Sequence, residues 1–258
     1  MWERMRERLR GKLFLSSMMG ITDGAFCAER GRGADMVQLG AYLAEPPAYG
    51  VPGYESILPA DRGDCIRFLA DQVENVKKRL DVIVCLNLAT LKLEWGLEAS
   101  DCFKEAGGDV VELNCHGGLK RYLKQGKLRA MVLPEHRSEL FRWLGEFSKL
   151  RIPVIVKFRM GAIPDYTPIL DELVDMNLLG VHFNIRDERS KRPDFEFVKK
   201  VKNRYGGRLF LLVSGYVRST SDVRRLFEAG ADMVGIAEPT IKDPDYIAKL
   251  AEELKGGA

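Results

Sequence analysis

The sequence predicts a (β/α)8 barrel, the TIM-barrel fold, as a single α/β domain over residues 1–258. Short apolar segments rich in β-branched residues alternate with helical segments, which is typical of parallel strands joined by helices. Eight such pairs fill a chain of 258 residues, the usual size of a closed barrel. No shift in composition marks a second domain.

The predicted strands are short apolar runs at 13–17, 34–39, 81–87, 109–114, 152–159, 180–184, 209–213 and 232–237. The fifth has the apolar content of a strand covered on both faces, yet it ends in Lys157 and Arg159, which share parity. Burying two cations at a barrel mouth without a partner would cost several kcal/mol. The strand therefore predicts an anionic or electron-rich ligand there, unless both side chains extend into water.

Helices are predicted between the strands: a short one ending at residue 30, and others near 64–80, 93–106, 134 onward, 169–176, 195–205, 221–229 and 243–254. Segment 44–54 is rich in proline and glycine, so it is predicted to be an irregular loop. A loop of that length is usually either functional or mobile. Segment 116–129 is predicted to be a basic loop interrupted by glycines.

Composition excludes some classes of protein. The formal net charge of +3 does not demand a nucleic-acid partner. The five cysteines are scattered without a Cys-x-x-Cys pair, so neither a disulfide framework nor a metal site is predicted. The charged N-terminus lacks the apolar core of a signal peptide, and no segment has the length of a membrane span. A cytoplasmic protein without membrane contact is expected.

Polar residues close the strands. In a barrel these ends meet on one rim, where active sites of this fold are built. A strand must end in something polar, which explains any one of them alone, but together they form a mixed lining of hydrogen-bond donors and acceptors. They are Ser16, Ser17, Gln38, Asn87, Asn114, Lys157, Arg159, His182, Asn184, Ser214 and Glu238.

The last two strand-to-helix junctions occupy the place where many barrels bind phosphate. Gly215 would permit close approach of the backbone, and Arg218 could supply positive charge. Glu238 has the wrong sign for an anion site. We nevertheless expect a phosphate site at these junctions.

Four segments in order resemble the tRNA-dihydrouridine synthases, a family of flavin-dependent barrels. Residues 18–23 (MMGITD) are similar to the family's opening motif, and 109–114 with the basic loop behind them to its asparagine motif and catalytic loop. Residues 153–161 (PVIVKFRMG) and Val181-His182 resemble its fifth and sixth strands. The segments span most of the chain.

The resemblance implies flavin mononucleotide (FMN) on the rim, with Lys157 at the pyrimidine edge of the flavin ring. The implied cofactor contacts are Met18, Asn87, Asn114, Lys157, His182, Ser214, Gly215 and Ala237. Arg159, Asn184, Lys120, Arg121 and Lys124 are assigned to the substrate, which is expected to be tRNA or a small pyrimidine-like molecule.

The sequence departs from the family at three places. Gly117 stands where the family has its cysteine general acid, which leaves His116 and Cys115 as candidate proton donors beside Lys157. Ala237-Glu238 replaces the family's Gly-Arg on the phosphate side. The chain ends at Ala258, without the family's C-terminal helical domain, so it is expected to be a short, divergent member.

The predicted function is therefore that of an FMN-dependent oxidoreductase that reduces a uracil-type or related activated C=C bond. One alternative is a flavin-binding barrel that has lost dihydrouridine chemistry. Another is a flavin-free barrel enzyme that acts on a phosphorylated small molecule through Lys157.

Overall fold

The computed structural model describes residues 2–45 and 56–256. Eight parallel strands close into a barrel and follow one another around it in chain order, which confirms the predicted fold class. We number these barrel strands one to eight. They span Lys12–Leu15, Met36–Ala44, Ile83–Thr90, Val110–Cys115, Val154–Arg159, Gly180–Asn184, Leu211–Ser214 and Met233–Ile236.

Helices lie outside the barrel and between its strands. They span Glu3–Leu9, Gly24–Arg30, Arg62–Lys77, Leu93–Glu105, Lys120–Leu123, Arg137–Phe147, Thr167–Leu173, Phe195–Tyr205, Thr220–Glu228, Pro239–Lys242 and Tyr246–Gly256. Short 3-10 helices form at Leu128–Val132, Pro134–His136 and Gly206–Arg208. A small antiparallel hairpin pairs Arg186–Asp187 with Arg192–Pro193 after strand six.

The structure adds elements that the sequence pattern did not predict. The helix Glu3–Leu9 is held by tertiary contacts, since the Arg6 guanidinium donates to the backbone oxygens of Leu178 and Leu179, each at 2.9 Å. Strand two runs further than predicted, to Ala44. The segment 44–54, predicted to be irregular, lies mostly outside the described residues.

The barrel interior has two halves of different chemistry. At the amino-terminal end, inward side chains form an apolar cluster on which Trp2 and Met5 pack; its members include Phe14, Met36, Ile83, Val110, Ile155 and Met233. One inward step further along strands one, two, four and five the side chains become polar. The register aligns Asn114 with Lys157 and Lys157 with His182, so these residues share one level of the barrel.

Among the residues described, none of the helices is both long enough and apolar enough to cross a membrane.

Candidate functional site

A cavity of about 440 Å³ opens at the carboxyl-terminal end of the barrel. This volume is within the range of sites for small molecules and cofactors. Its wall is built mainly by strand ends and the loops that follow them. Of the predicted site residues, those that line it are Met18, Asn114, His116, Lys157, Asn184, Ser214, Gly215 and Ala237.

The buried carboxylate of Glu112 lies at the centre of a group of polar side chains next to this cavity. Glu112 Oε2 accepts hydrogen bonds from Gln38 Nε2 at 2.7 Å and lies 2.6 Å from His182 Nδ1. Glu112 Oε1 accepts from Asn87 Nδ2 at 2.5 Å and lies 3.6 Å from Lys157 Nζ. All five side chains are buried, and we call them the Glu112 cluster.

Glu112 is the anion that compensates the buried Lys157 cation. Burial opposes its ionisation, but the positive charges of the neighbouring His182 and Lys157 sites, together with hydrogen bonds, lower the pKa of Glu112 to about 2. Burial lowers the pKa of His182, despite the adjacent carboxylate. We therefore describe the cluster near neutral pH as an ionised Glu112 paired with Lys157 beside a neutral imidazole.

His182 has both ring nitrogens engaged. Because the Glu112 carboxylate can only accept, Nδ1 is assigned the proton. Nε2 then accepts a hydrogen bond from Ser214 Oγ at 2.8 Å. His182 is fully buried and does not line the cavity, and neither does Asn87. The predicted direct contacts of these two residues with a cofactor therefore have no support in the geometry.

Asn114 fixes the start of the loop after strand four. Its Oδ1 accepts from the backbone N–H groups of His116 at 3.0 Å and Gly117 at 2.9 Å, while its Nδ2 donates to Asn87 at 2.9 Å. This turn places His116 on the cavity wall. Among the described residues, the buried Nε2 atom of His116 has no hydrogen-bond partner.

The electrostatic surroundings of His116 favour its neutral form. Burial, followed by the nearby cations Lys157 and Arg159, keeps the pKa of His116 well below its usual value. A buried ring nitrogen without a partner is costly unless a ligand or water satisfies it. His116 therefore lines the cavity as a neutral imidazole with a ring nitrogen that has no hydrogen-bond partner among the described residues.

Cys115 lies on the opposite side of strand four. Its thiol packs in the layer between barrel and helices, 3.9 Å from the Met131 sulfur, and burial raises its pKa. A thiol in this position cannot reach a ligand in the cavity, so Cys115 is withdrawn as a proton donor. The strand alternation predicts this placement, because Cys115 has opposite parity to Asn114.

Charged side chains surround the wall formed by strands seven and eight. Glu238 accepts from Arg186 Nη2 at 2.9 Å and from Arg218 Nη2 at 2.6 Å. The Arg186 guanidinium lies 4.6 Å from the centre of the Tyr216 ring. All four residues line the cavity, and we call them the rim cluster. Arg159, predicted to bind substrate, pairs instead with Glu188 at 3.0 Å.

The basic segment divides into structural and exposed residues. Arg121 pairs with the buried carboxylate of Glu45, and Lys127 is buried against Glu139 at 2.8 Å. These two cations therefore have structural partners. Lys120 and Lys124 are exposed and lie outside the cavity wall.

From the sequence, Glu112 is recognised only as an inward residue that shares parity with Asn114, and it is assigned no role at the centre of the site. Glu112 has the same parity as Asn114 and interrupts the apolar run Val110-Val111-x-Leu113, and these two signals together could have identified it. Gln38 was visible only as a polar strand end. No sequence pattern pointed to Arg186, because the hairpin on which it lies was not predicted.

The fold and the site define an eight-stranded parallel β/α barrel with a cavity and a buried charged cluster at its carboxyl-terminal end. No protein-family model matches the chain. The chain is 23% identical to the uncharacterized protein MJ0144 of Methanocaldococcus jannaschii, over 261 residues that cover 95% of this chain and 96% of that protein.

Proposed function

We propose that the protein is an FMN-dependent oxidoreductase that reduces a uracil-type or related activated C=C bond. The observation that carries this proposal is the buried ammonium of Lys157 on the wall of a cavity that also carries Arg186 and Arg218. A ligand with an electron-rich ring and an anionic tail matches such a cavity. FMN has both features.

The residues present fit such a cofactor at both ends. Lys157 offers a cationic donor to the ring, and the arginines of the rim cluster offer donors to a phosphate. Gly215 lines the cavity between them and must lack a side chain, since a Cβ at this position would lie 2.8 Å from Asn184 Oδ1. Bound FMN would supply hydride transfer. The protein must then supply the proton.

We assign the proton donor to His116. A histidine can give or take a proton at a ring nitrogen, and His116 lines the cavity together with Lys157. His116 would thus replace the acid that the family resemblance places at Gly117.

FMN binding by the purified full-length chain tests the cofactor. We expect flavin absorbance after reconstitution and quenching of FMN fluorescence on titration. Lys157→Met should weaken FMN at least about tenfold, since a charge-assisted hydrogen bond contributes about 1.5–3 kcal/mol. Lys12→Met is the matched control, because Lys12 pairs with Asp35 at the other end of the barrel. A protein that carries no flavin absorbance after reconstitution with millimolar FMN would contradict the proposal.

The proposed substrate is tRNA or a small pyrimidine-like molecule. For tRNA, the exposed Lys120 and Lys124 would contact phosphates, and replacing both by alanine should reduce the salt dependence of binding by a slope of about 1–2. Lys149→Ala, which removes an exposed lysine paired with Glu146, is the control. An equal slope for both variants would remove tRNA from the proposal and leave a small substrate.

A flavin-binding barrel without dihydrouridine chemistry is the second candidate. Gly117 at the acid position and the engagement of both His182 nitrogens favour it. Mass spectrometry of tRNA from a strain lacking the gene tests the tRNA form of the first candidate: loss of dihydrouridine at one position supports the reductase, and an unchanged tRNA leaves this second candidate or a reductase of a small pyrimidine. A colourless protein would instead favour the flavin-free barrel that uses Lys157.

A further inference from the structure

Within residues 2–45 and 56–256, a hydroxyl, an imidazole and a carboxylate are hydrogen-bonded in series beside the cavity. Ser214 Oγ lies 2.8 Å from His182 Nε2, and His182 Nδ1 lies 2.6 Å from Glu112 Oε2. Strands seven, six and four contribute one residue each. A nucleophile bonded to a base that a third group orients is the general signature of an activated nucleophile.

The outer and inner members of this arrangement differ in access. Ser214 lines the cavity, whereas His182 and Glu112 are fully buried and do not. A ligand in the cavity can therefore reach the serine, and the serine is the hydroxyl that connects the cavity to the imidazole. Phe14 packs edge-on against His182 with ring centroids 5.2 Å apart, which restricts the tilt of the imidazole.

The backbone after Ser214 is a second, independent observation. Gly215 has φ +110° and Tyr216 has φ +57°, and both line the cavity. A left-handed conformation at a non-glycine residue is uncommon, and strained residues cluster at active sites. This turn directly follows the serine and leads from strand seven toward the helix Thr220–Glu228.

We propose that Ser214, His182 and Glu112 form a serine nucleophile site that cleaves a carboxylic ester bearing a negatively charged group. The charge preference follows from Lys157, Arg186 and Arg218 on the same cavity wall. This activity goes beyond the proposed reductase function and needs no cofactor.

The covalent step balances without an oxidant or reductant. Ser214 Oγ attacks the carbonyl carbon and its proton moves to His182 Nε2; the Oγ–C bond forms, the bond to the alcohol oxygen breaks, and the alcohol takes a proton from a water in the cavity. The hydroxide left by that water attacks the acyl-serine, and the departing Ser214 oxygen takes its proton back from His182 Nε2, which releases the acid and restores the hydroxyl. Glu112 acts as a positioning residue that holds Nδ1–H and stabilises the imidazolium.

A fluorophosphonate probe tests the nucleophile in the flavin-free full-length protein. The Oγ–P bond forms, fluoride leaves, and the serine proton passes through His182 to water. We expect one adduct, mapped to Ser214 by mass spectrometry, which Ser214→Ala abolishes. Ser100→Ala is the matched control, because Ser100 is equally buried but bonds to Gly96 O at 2.7 Å, outside the cavity. No adduct, or an adduct on another residue, would overturn the proposal.

The base is tested separately from folding. His182→Gln should slow labelling at least about 100-fold, in line with general-base catalysis, and should remove the rise of labelling rate with pH in the acid range. A folded His182→Gln variant that labels at the rate of the unmodified protein contradicts the assignment. If His182→Gln fails to fold, the pH profile of the unmodified protein decides: a rate that rises with a midpoint below that of free histidine supports the proposal, and a flat profile overturns it.

The substrate class has its own measurement. The p-nitrophenyl monoester of succinic acid, which carries a free carboxylate, should be cleaved with at least about tenfold higher kcat/KM than p-nitrophenyl acetate. Equal values would overturn the charge preference. The outcomes for labelling and for FMN binding are independent: a protein that binds FMN without labelling keeps the reductase proposal alone, and one that labels without binding FMN keeps the nucleophile alone.

Discussion

The two halves of the barrel interior are built from the same strands and the same inward parity, yet they have opposite chemistry. Strand four turns Val110 inward at the amino-terminal level and Glu112 one step later, and strand five does the same with Ile155 and Lys157. A shift of two residues along each of these strands therefore separates an apolar side chain from a charged one. The barrel is therefore held together at its amino-terminal end by apolar packing, and at its carboxyl-terminal end by hydrogen bonds and ion pairs among buried polar groups.

These two kinds of cohesion fail in different ways. Removing a methyl group from an apolar layer leaves a small cavity, whose cost is graded. Removing one member of a buried charged network leaves the remaining members unpaired in a medium that solvates them poorly. The polar half should therefore be the more sensitive of the two.

The largest expected effect is that of Glu112→Ala. The substitution leaves Lys157 without its buried counter-ion and removes the acceptor for Gln38, Asn87 and His182. We expect the free energy of unfolding to fall by about 3–5 kcal/mol, measured by denaturant titration with circular dichroism. The comparison is Ile155→Val in the apolar half, which should cost only about 0.5–1.5 kcal/mol. Equal losses would show that the two halves do not differ as argued.

Acid should destabilise the folded protein through the titrating groups of the polar half. The folded-state pKa of Glu112 is depressed from 4.5 to about 2, so its contribution is present above pH 4.5 and is lost as pH falls toward 2. Linkage sets this contribution at about 3 kcal/mol. The pKa of His182 is also lowered from 6.5, so the free energy of unfolding begins to fall as pH drops below 6.5. Unfolding titrations at several pH values should show this slope, and Glu112→Gln should remove its lower part.

The fold could be predicted from sequence because it depends on a repeated pattern. Eight apolar runs with β-branched residues alternate with helical segments, and each repeat supports the same architecture. Elements that depend on tertiary contacts were not predicted. The helix Glu3–Leu9 is charged throughout most of its length, and Arg6 fixes it through hydrogen bonds to backbone oxygens far along the chain. The short hairpin with Arg186 has no periodicity that a strand search could detect.

The site could be predicted only in part, because sequence gives the parity of a side chain and not its partners. Lys157, Asn114 and Ser214 were recognised as inward strand ends and line the cavity. That Glu112 would gather His182, Gln38 and Asn87 could not be read from any one strand, since the contact depends on the register between neighbours. His182 was expected at the ligand; it is buried and hydrogen-bonded to Ser214, which lines the cavity.

The boundary between the two halves can be probed with Gly235→Ala. A Cβ at Gly235 would lie 2.4 Å from Phe14 Cζ, and the Phe14 ring in turn contacts His182. Overpacking of this kind costs about 1–3 kcal/mol, and the shift of Phe14 should also slow the fluorophosphonate labelling of Ser214. Gly145→Ala is the control, because a Cβ there meets nothing within 4 Å on a helix. A Gly235→Ala protein as stable as the control would mean that the boundary is loosely packed.

The smallest effect on stability is expected from the rim cluster, where the same kinds of charges meet solvent. Glu238→Gln removes an exposed partner of Arg186 and Arg218, so the free energy of unfolding should change by less than about 1 kcal/mol. Ligand affinity should move more visibly, because the Glu238 carboxylate competes with an anion for two guanidinium groups.

Two ligands separate the charge effect from packing in this variant. FMN should bind Glu238→Gln about fivefold more tightly, which corresponds to about 1 kcal/mol for one charge at close range in a solvated site, and the gain should shrink in high salt. Riboflavin, which lacks the phosphate, should bind equally to both proteins. Glu105→Gln removes an exposed Arg–Glu pair between Arg62 and the end of the helix Leu93–Glu105 and should leave both affinities unchanged. A gain for riboflavin equal to that for FMN would place the phosphate elsewhere, because only the tail of FMN distinguishes the two ligands at this wall.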